Sequence, residues 1–175
     1  AKEVADIVGR SDAKVLILWP GFRGIDFLSI LDDVAAAALD TLESVVLYEE
    51  GEPAPAAPAA LGNKQVTTWA ALTAHEPLKT DAGSPGHGCN MFTTSGTTSA
   101  PKFVLHEHRS ILTHARELWA NMAPMIADGA LLQTLPFCGV FGFTSIVLAV
   151  AGRKPMVVTS AFDAGETVRL VDQHN

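Results

Sequence analysis

The sequence predicts an α/β fold in which helices flank a largely parallel β-sheet. Short apolar runs alternate with longer amphipathic stretches along the chain, a pattern typical of βαβ units with parallel strands. Of the 175 residues, 48% are hydrophobic, enough for a compact core. No internal repeat or heptad pattern interrupts this alternation. We therefore expect one α/β domain or subdomain over residues 1–175.

Two periodicities define the elements of the first half. Runs of apolar residues bounded by turn formers indicate buried strands, and apolar residues three or four positions apart indicate amphipathic helices. The predicted order is a helix that ends near residues 9–12, a buried strand at 14–19, a helix at 25–42, a strand at 44–48 and a short helix at 68–74.

Residues 49–62 differ in composition from the rest. This segment is dominated by Pro, Ala, Gly and Glu, and it is interpreted as an extended, mobile linker loop.

The second half continues the alternation after a Gly- and Pro-containing loop at residues 81–88. Pro124 is expected to end or kink its first helix, and Asp163 with Glu166 forms a typical helix start. The predicted order is a strand up to residue 105, a helix at 109–126, a strand at 130–134, a turn-rich segment at 136–142, a helix at 143–151, a strand at 155–159 and a helix from 163.

Charge and hydropathy exclude several classes of protein. The formal net charge is −7 and there is no basic run, which argues against a nucleic-acid partner. The longest apolar run, residues 140–151, is shorter than the roughly 20 residues of a membrane span. Cys89 and Cys138 lie in apolar surroundings and are interpreted as buried free thiols of a reducing compartment. We expect a soluble, cytoplasmic protein.

A loop rich in hydroxyl groups occupies residues 93–102. It combines backbone N–H donors, hydroxyls and the cation of Lys102, as a phosphate-binding loop requires. Pro101 donates no N–H and Phe103 continues as a strand, so the loop joins two strands and does not open a helix as a Walker A loop does. The predicted ligands of the phosphates are Thr94, Ser95, Gly96, Thr97, Thr98 and Lys102.

The run from Thr94 to Lys102 resembles the signature of the adenylate-forming superfamily, which includes acyl-CoA synthetases. Ser99 and Phe103 stand where that signature has glycine. Residues 135–142 resemble the stretch that borders the acyl pocket in these enzymes. The resemblance implies that the chain is a partial N-terminal domain of such an enzyme.

An acid–CoA ligase activity is what the resemblance implies. A carboxylic acid, with a hydrophobic acid such as a fatty acid favoured, would react with ATP to give acyl-AMP, and CoA would then displace AMP. Lys102 would be the catalytic cation, and Thr94 would help to hold Mg²⁺. The acid pocket would be lined by Phe137, Cys138, Gly139 and Val140, although the preferred interpretation of any single one of them is an ordinary core residue.

Several features that this family carries elsewhere, such as the acidic residue for the ribose and the small C-terminal domain, do not occur in these residues. We therefore expect an internal fragment that is inactive alone and that self-associates through uncovered apolar faces. Two alternatives stay open: a non-catalytic nucleotide- or phosphate-binding module, and a structural or interaction domain without a nucleotide.

His106 and His108 alternate along the strand that follows Lys102. Two imidazoles on one strand face could bind a metal, but no third ligand is evident nearby. The preferred interpretation is that His106 packs beside the phosphate loop.

Overall fold

A computed structural model describes residues 1–49, 59–94, 101–126 and 129–174. The chain divides into two compact units, Ala1–Asp81 and Ala82–Asn175. Each unit combines strands with helices, and most of the strand pairs are parallel. The predicted α/β fold with a largely parallel sheet is therefore confirmed. The expectation of a single domain stays a prediction.

The first unit contains three strands and three α-helices in its described residues. Short 3₁₀ turns at Phe22–Gly24, Ala36–Leu39 and Ala59–Leu61 connect them. The elements are α1 (Lys2–Ser11), β1 (Val15–Leu18), α2 (Phe27–Asp32), β2 (Ser44–Leu47), β3 (Gln65–Thr68) and α3 (Trp69–Thr73).

The sheet of the first unit has the order β1-β2-β3, and all its strands are parallel. Central β2 is the most buried strand, because it has a neighbour on each side. Its Val45 and Leu47 belong to a core cluster with residues of the helices and turns. The other buried members of that cluster are Val8, Leu31, Val34, Leu39, Leu42 and Leu61.

Strand β1 is only half buried, so the prediction of a buried strand at residues 14–19 was wrong. Val15 and Ile17 remain 54% and 56% exposed. The cause is the position of β1 at the edge of the sheet, where its alternate side chains face away from the core.

The helix predicted over residues 25–42 is broken into two short pieces. Helix α2 ends at Asp32, and Ala35 adopts an extended conformation with ψ of 130° before the 3₁₀ turn at Ala36–Leu39. Leu31, Val34 and Leu39 all reach the core despite this break. Leu31 and Leu39 belong to the predicted apolar stripe, whereas Val34 does not, because tertiary packing overrode the helical periodicity after α2.

Asp26 explains why α2 starts where it does. Its carboxylate accepts hydrogen bonds from the backbone N–H groups of Ser29 (3.0 Å) and Leu28 (3.1 Å) and from the Ser29 hydroxyl (2.7 Å). These donors satisfy backbone groups that a helix start leaves unpaired. The hydrogen bonds from the backbone and hydroxyl of Ser29 hold the pKa of Asp26 below its usual value.

Strand β3 had no counterpart in the predicted order. The signal was present in the β-branched residues Val66, Thr67 and Thr68, which follow a turn at Gly62. Thr68 also caps α3 by accepting a hydrogen bond from Ala71 N–H at 3.1 Å. Of the predicted linker at residues 49–62, the described end forms the turn Ala59–Leu61, and residues 50–58 lie outside the described residues.

The second unit contains four strands and three α-helices in its described residues. Helix α4 ends at Met122 and passes into a 3₁₀ turn at Ala123–Met125, which contains Pro124. The expectation that Pro124 ends or kinks this helix is therefore confirmed, while the predicted bound at residue 126 was four residues too late. The elements are β4 (Gly88–Thr94), β5 (Lys102–Glu107), α4 (His108–Met122), β6 (Leu131–Gln133), α5 (Val140–Gly152), β7 (Met156–Val158) and α6 (Ala164–His174).

Strands β6 and β7 pair in parallel and are joined through α5, which makes a βαβ unit, whereas β4 and β5 form an antiparallel hairpin. Asp163 starts α6 as predicted, since its carboxylate accepts a hydrogen bond from Glu166 N–H at 2.8 Å. Within the described ranges, none of the helices has both the length and the apolar composition that a bilayer crossing needs.

Candidate functional site

The β4–β5 hairpin brings two predicted phosphate ligands together. Thr94 and Lys102 are directly opposed in the antiparallel register. Opposed residues project on one face of such a pair, with Cβ atoms about 4.5–5.5 Å apart. Both residues are exposed. Residues 95–100, with the predicted ligands Ser95, Gly96, Thr97 and Thr98, lie outside the described residues.

Lys102 begins strand β5, so the predicted strand–loop–strand arrangement is confirmed. A Walker A loop would continue into a helix at this point. Phe103 lies opposite Thr93 on the other face of the hairpin and is half buried. Ser99, the second departure from the family signature, is outside the described residues.

Phe92 connects the hairpin to α5. It lies two residues before Thr94 and therefore shares its face of β4. Its ring meets the His106 imidazole at a centroid distance of 5.7 Å and the Phe143 ring on α5 at 5.4 Å. These edge-on aromatic contacts stabilise the strand that leads into the loop.

The prediction that His106 and His108 lie on one strand face was wrong, because His108 is not part of the strand. Strand β5 ends at Glu107, and His108 is the first residue of α4. The turn into the helix is held by backbone hydrogen bonds from His108 N–H to His87 O (3.1 Å) and from Arg109 N–H to Pro85 O (2.9 Å). His106 lies on β5 beside Phe92, and its predicted packing against the phosphate loop stays a prediction. Among the residues that the structure describes, no cluster of His, Cys, Asp or Glu could hold a metal ion.

The predicted pocket residues form one continuous exposed segment ahead of and into α5. Phe137, Cys138, Gly139 and Val140 are all exposed, Phe137 by 42% and Val140 by 54%. They are not core residues, so that interpretation was wrong. Cys89 and Cys138 are free and exposed, which corrects the prediction that both thiols are buried. The role of the segment in an acid pocket stays a prediction.

Helix α5 begins at Val140, three residues earlier than the predicted start at residue 143. Gly139 occupies the position before the helix and donates its N–H to Pro136 O at 3.2 Å. Gly142 allows the first helical turn to lie against the backbone at Pro136, because a Cβ there would overlap the Pro136 carbonyl oxygen. The predicted turn and the start of the helix therefore form one compact structure.

Gln133 is a residue that the sequence analysis missed. It is the only buried polar or charged residue in the part of the chain that the structure describes, with 2% exposure. Its amide Nε2 donates to the Leu135 carbonyl, at the start of the exposed segment. The available signal was a polar residue directly after Leu131 and Leu132 in a predicted strand.

The chain is similar to a known family of enzymes. The model of the family described as AMP-binding enzyme matches residues 1–175. A 3-[(3aS,4S,7aS)-7a-methyl-1,5-dioxo-octahydro-1H-inden-4-yl]propanoyl:CoA ligase of Mycobacterium tuberculosis is 30% identical over 99% of this chain and 33% of its own length. A long-chain-fatty-acid–CoA ligase of Thermus thermophilus is 26% identical over 98% of this chain and 29% of its own length.

A solved structure shares the fold. It is the O-succinylbenzoate coenzyme A synthetase of Bacillus subtilis in complex with AMP, with a TM-score of 0.60 and 18% identity. The match covers 85% of this chain and 29% of that one. The chain thus spans about a third of the length of the relatives it matches. On the strength of a family match along its whole length, this chain belongs to the AMP-binding enzymes.

Proposed function

We propose that the chain is part of an ATP-dependent acid–CoA ligase and carries the loop that binds the phosphates of ATP. The observation that carries this proposal is the opposed pair Thr94 and Lys102 at the end of the β4–β5 hairpin, in a chain of the AMP-binding family. Its named relatives above are CoA ligases, which favours the same type of reaction here.

The proposed reaction has two steps. A carboxylate oxygen attacks the α-phosphorus of ATP, which forms acyl-AMP and releases pyrophosphate. The CoA thiol then attacks the acyl carbon, loses its proton and releases AMP. The first step requires that negative charge be stabilised on the departing pyrophosphate, and preorganised donors and cations are the main source of such catalysis.

Lys102 is the catalytic cation of this proposal. Lys102 is the first residue of β5, so pairing with Thr94 holds its backbone in place. Its side chain, which carries the ammonium group, is exposed. The hydroxyl of Thr94 is a hard oxygen donor on the same face, and it would hold Mg²⁺ together with the phosphates. Bound Mg²⁺ supplies further charge neutralisation. In this proposal the N–H groups and hydroxyls that the sequence provides at residues 95–98 would complete the cradle.

A titration of the chain with ATP·Mg²⁺ tests the assignment of Lys102. Lys102→Ala is expected to weaken binding by about 10-fold to 100-fold, because a hydrogen bond to a charged group contributes about 1.5–3 kcal/mol. Lys79→Ala is the matched control, since Lys79 is 86% exposed and pairs only loosely with Glu76 at 3.5 Å. Isothermal titration calorimetry measures all three affinities.

Two other results of this titration would support different interpretations of the chain. Equal affinity of wild type and Lys102→Ala would refute the role of the lysine, and no binding by either would favour a structural or interaction domain. We propose that the 175-residue chain by itself binds ATP·Mg²⁺ but does not catalyse pyrophosphate exchange, because the named relatives are about three times as long. Exchange activity in this chain alone would contradict that part.

Self-association is also proposed for the isolated chain. Val15 and Ile17 lie on the same side of edge strand β1 and are more than half exposed. Exposed apolar side chains on a strand at the edge of a sheet favour association with another chain. Sedimentation velocity is expected to show a mass that rises with concentration, and an Ile17→Lys variant is expected to suppress the rise. A wild-type chain that stays monomeric at all concentrations would contradict the proposal.

A further inference from the structure

The buried amide of Gln133 contacts residues 135–139 at the Leu135 carbonyl, and these exposed residues include the predicted pocket residues Phe137, Cys138 and Gly139. Gln133 ends β6, and its main-chain carbonyl accepts from Thr159 N–H and Oγ1, both at 3.3 Å. These bonds hold its backbone against the residue that follows β7. The side-chain Nε2 is then aimed at the Leu135 carbonyl two residues further on.

The same segment is confined from the helix side. Gly139 N–H donates to Pro136 O at 3.2 Å, which closes a tight turn. Gly142 in the first turn of α5 lies against the same carbonyl and near Leu135 O. The main-chain carbonyls of Leu135 and Pro136 therefore lie between a buried amide and a helix turn, while Phe137 and Cys138 project into solvent.

Burial of a polar side chain costs free energy unless it is hydrogen-bonded. The hydrogen bond from the Gln133 amide to the Leu135 carbonyl therefore has a structural consequence. An apolar side chain of equal size would leave the Leu135 carbonyl without that donor, so the bond that ties the turn to the buried end of β6 would be lost and the turn would be free to shift. A shift of the turn at residues 136–139 would change the positions of the Phe137 and Cys138 side chains. Small displacements of binding groups are enough to change the reactivity of a bound substrate.

We propose that Gln133 is a positioning residue that sets the conformation of residues 135–139 and through them the preference among carboxylic acids. The inference rests on the proposed ligase function for its second half. Its first half, the control of the turn, depends only on the structure of the second unit. The two halves therefore require separate measurements.

The experiment compares Gln133→Met with Thr159→Val in the full-length protein. Methionine matches the length of glutamine but donates no hydrogen bond. Valine removes the Thr159 hydroxyl from the Gln133 carbonyl and leaves the Gln133 amide in place, so it controls for general loosening of β6 and β7. If Gln133→Met does not fold, Gln133→Asn replaces it, because its shorter side chain withdraws the amide from Leu135.

The first readout is the alkylation rate of Cys138 relative to Cys89, measured by mass spectrometry. Both thiols are exposed, and Cys89 on β4 serves as an internal reference. Gln133→Met is expected to change this ratio by about fivefold or more, the effect of losing one net hydrogen bond, whereas Thr159→Val leaves it near the wild-type value. The ratio is measurable even if no ligase activity is found.

The second readout is kcat/KM for a short and a long carboxylic acid. Gln133→Met is expected to change the ratio of the two values by about fivefold or more, and Thr159→Val is expected to preserve it at a similar Tm. An unchanged alkylation ratio, or equal changes in both variants, would overturn the positioning role. A changed alkylation ratio with unchanged acid preference would overturn the link to specificity. Absence of ligase activity from the wild type would refute the proposed function and, with it, that link.

Discussion

Gly142→Ala is expected to destabilise the second unit by about 3 kcal/mol, one of the two largest effects that we anticipate. A Cβ at this position would overlap the Pro136 carbonyl oxygen and would approach the Pro136 carbonyl carbon to 2.7 Å and the Leu135 oxygen to 3.0 Å. All three are backbone atoms and cannot swing aside as the end of a side chain does. Either the start of α5 or the turn before it must move.

Urea denaturation followed by circular dichroism measures this loss. Gly139→Ala is the matched control, because it lies three residues away and its added Cβ would meet Pro136 O at an ordinary 3.6 Å. We expect a loss of at most about 1 kcal/mol for that variant, because Gly139 is the N-cap residue of α5 and alanine is less favourable there. Equal stability of Gly142→Ala and wild type would show that the turn and α5 are not in close contact in solution.

Leu39→Ala is the second large expected effect, and it lies in the first unit. Leu39 is fully buried in the 3₁₀ turn at Ala36–Leu39 and belongs to the core cluster with Val45 and Leu47 of the central strand. Truncation removes apolar contact and leaves a cavity, so the free energy of unfolding is expected to fall by about 2–5 kcal/mol.

Thermal and urea unfolding of Leu39→Ala should be compared with Leu78→Ala. Leu78 has the same side chain and is 94% exposed in the same unit. We expect its truncation to change stability by less than about 0.5 kcal/mol. Similar losses for the two variants would mean that Leu39 is not a core residue and that the turn at Ala36–Leu39 does not pack on β2 in solution.

Periodicity located most elements because it depends on local chemistry. The apolar run at residues 44–48 and the Asp-x-x-Glu start of α6 both led to the elements that the structure contains. Pro101 and the strand-forming residues after it were enough to predict that the loop joins two strands. The loop signature likewise led to the family that the comparison shows.

The errors arose where long-range contacts decide the outcome. Nothing local distinguishes an edge strand such as β1 from a central one, because the difference lies in which strands pair with it. The break at Ala35 follows from the packing of Leu31, Val34 and Leu39 onto one core. The exposure of Cys89 and Cys138 likewise depends on what the rest of the chain covers.

The β4–β5 hairpin and the turn before α5 separate what local sequence predicts from what only long-range contacts decide. The sequence by itself predicted that two strands flank a hydroxyl-rich stretch at residues 93–102, because Pro101 and the strand-forming residues after it act locally. The binding of phosphates by this stretch stays a prediction. Only the tertiary structure showed that Thr94 and Lys102 are opposed, since the antiparallel register sets which residues face each other. Only the tertiary structure revealed Gln133 beneath residues 135–139, because burial of an amide depends on what surrounds it.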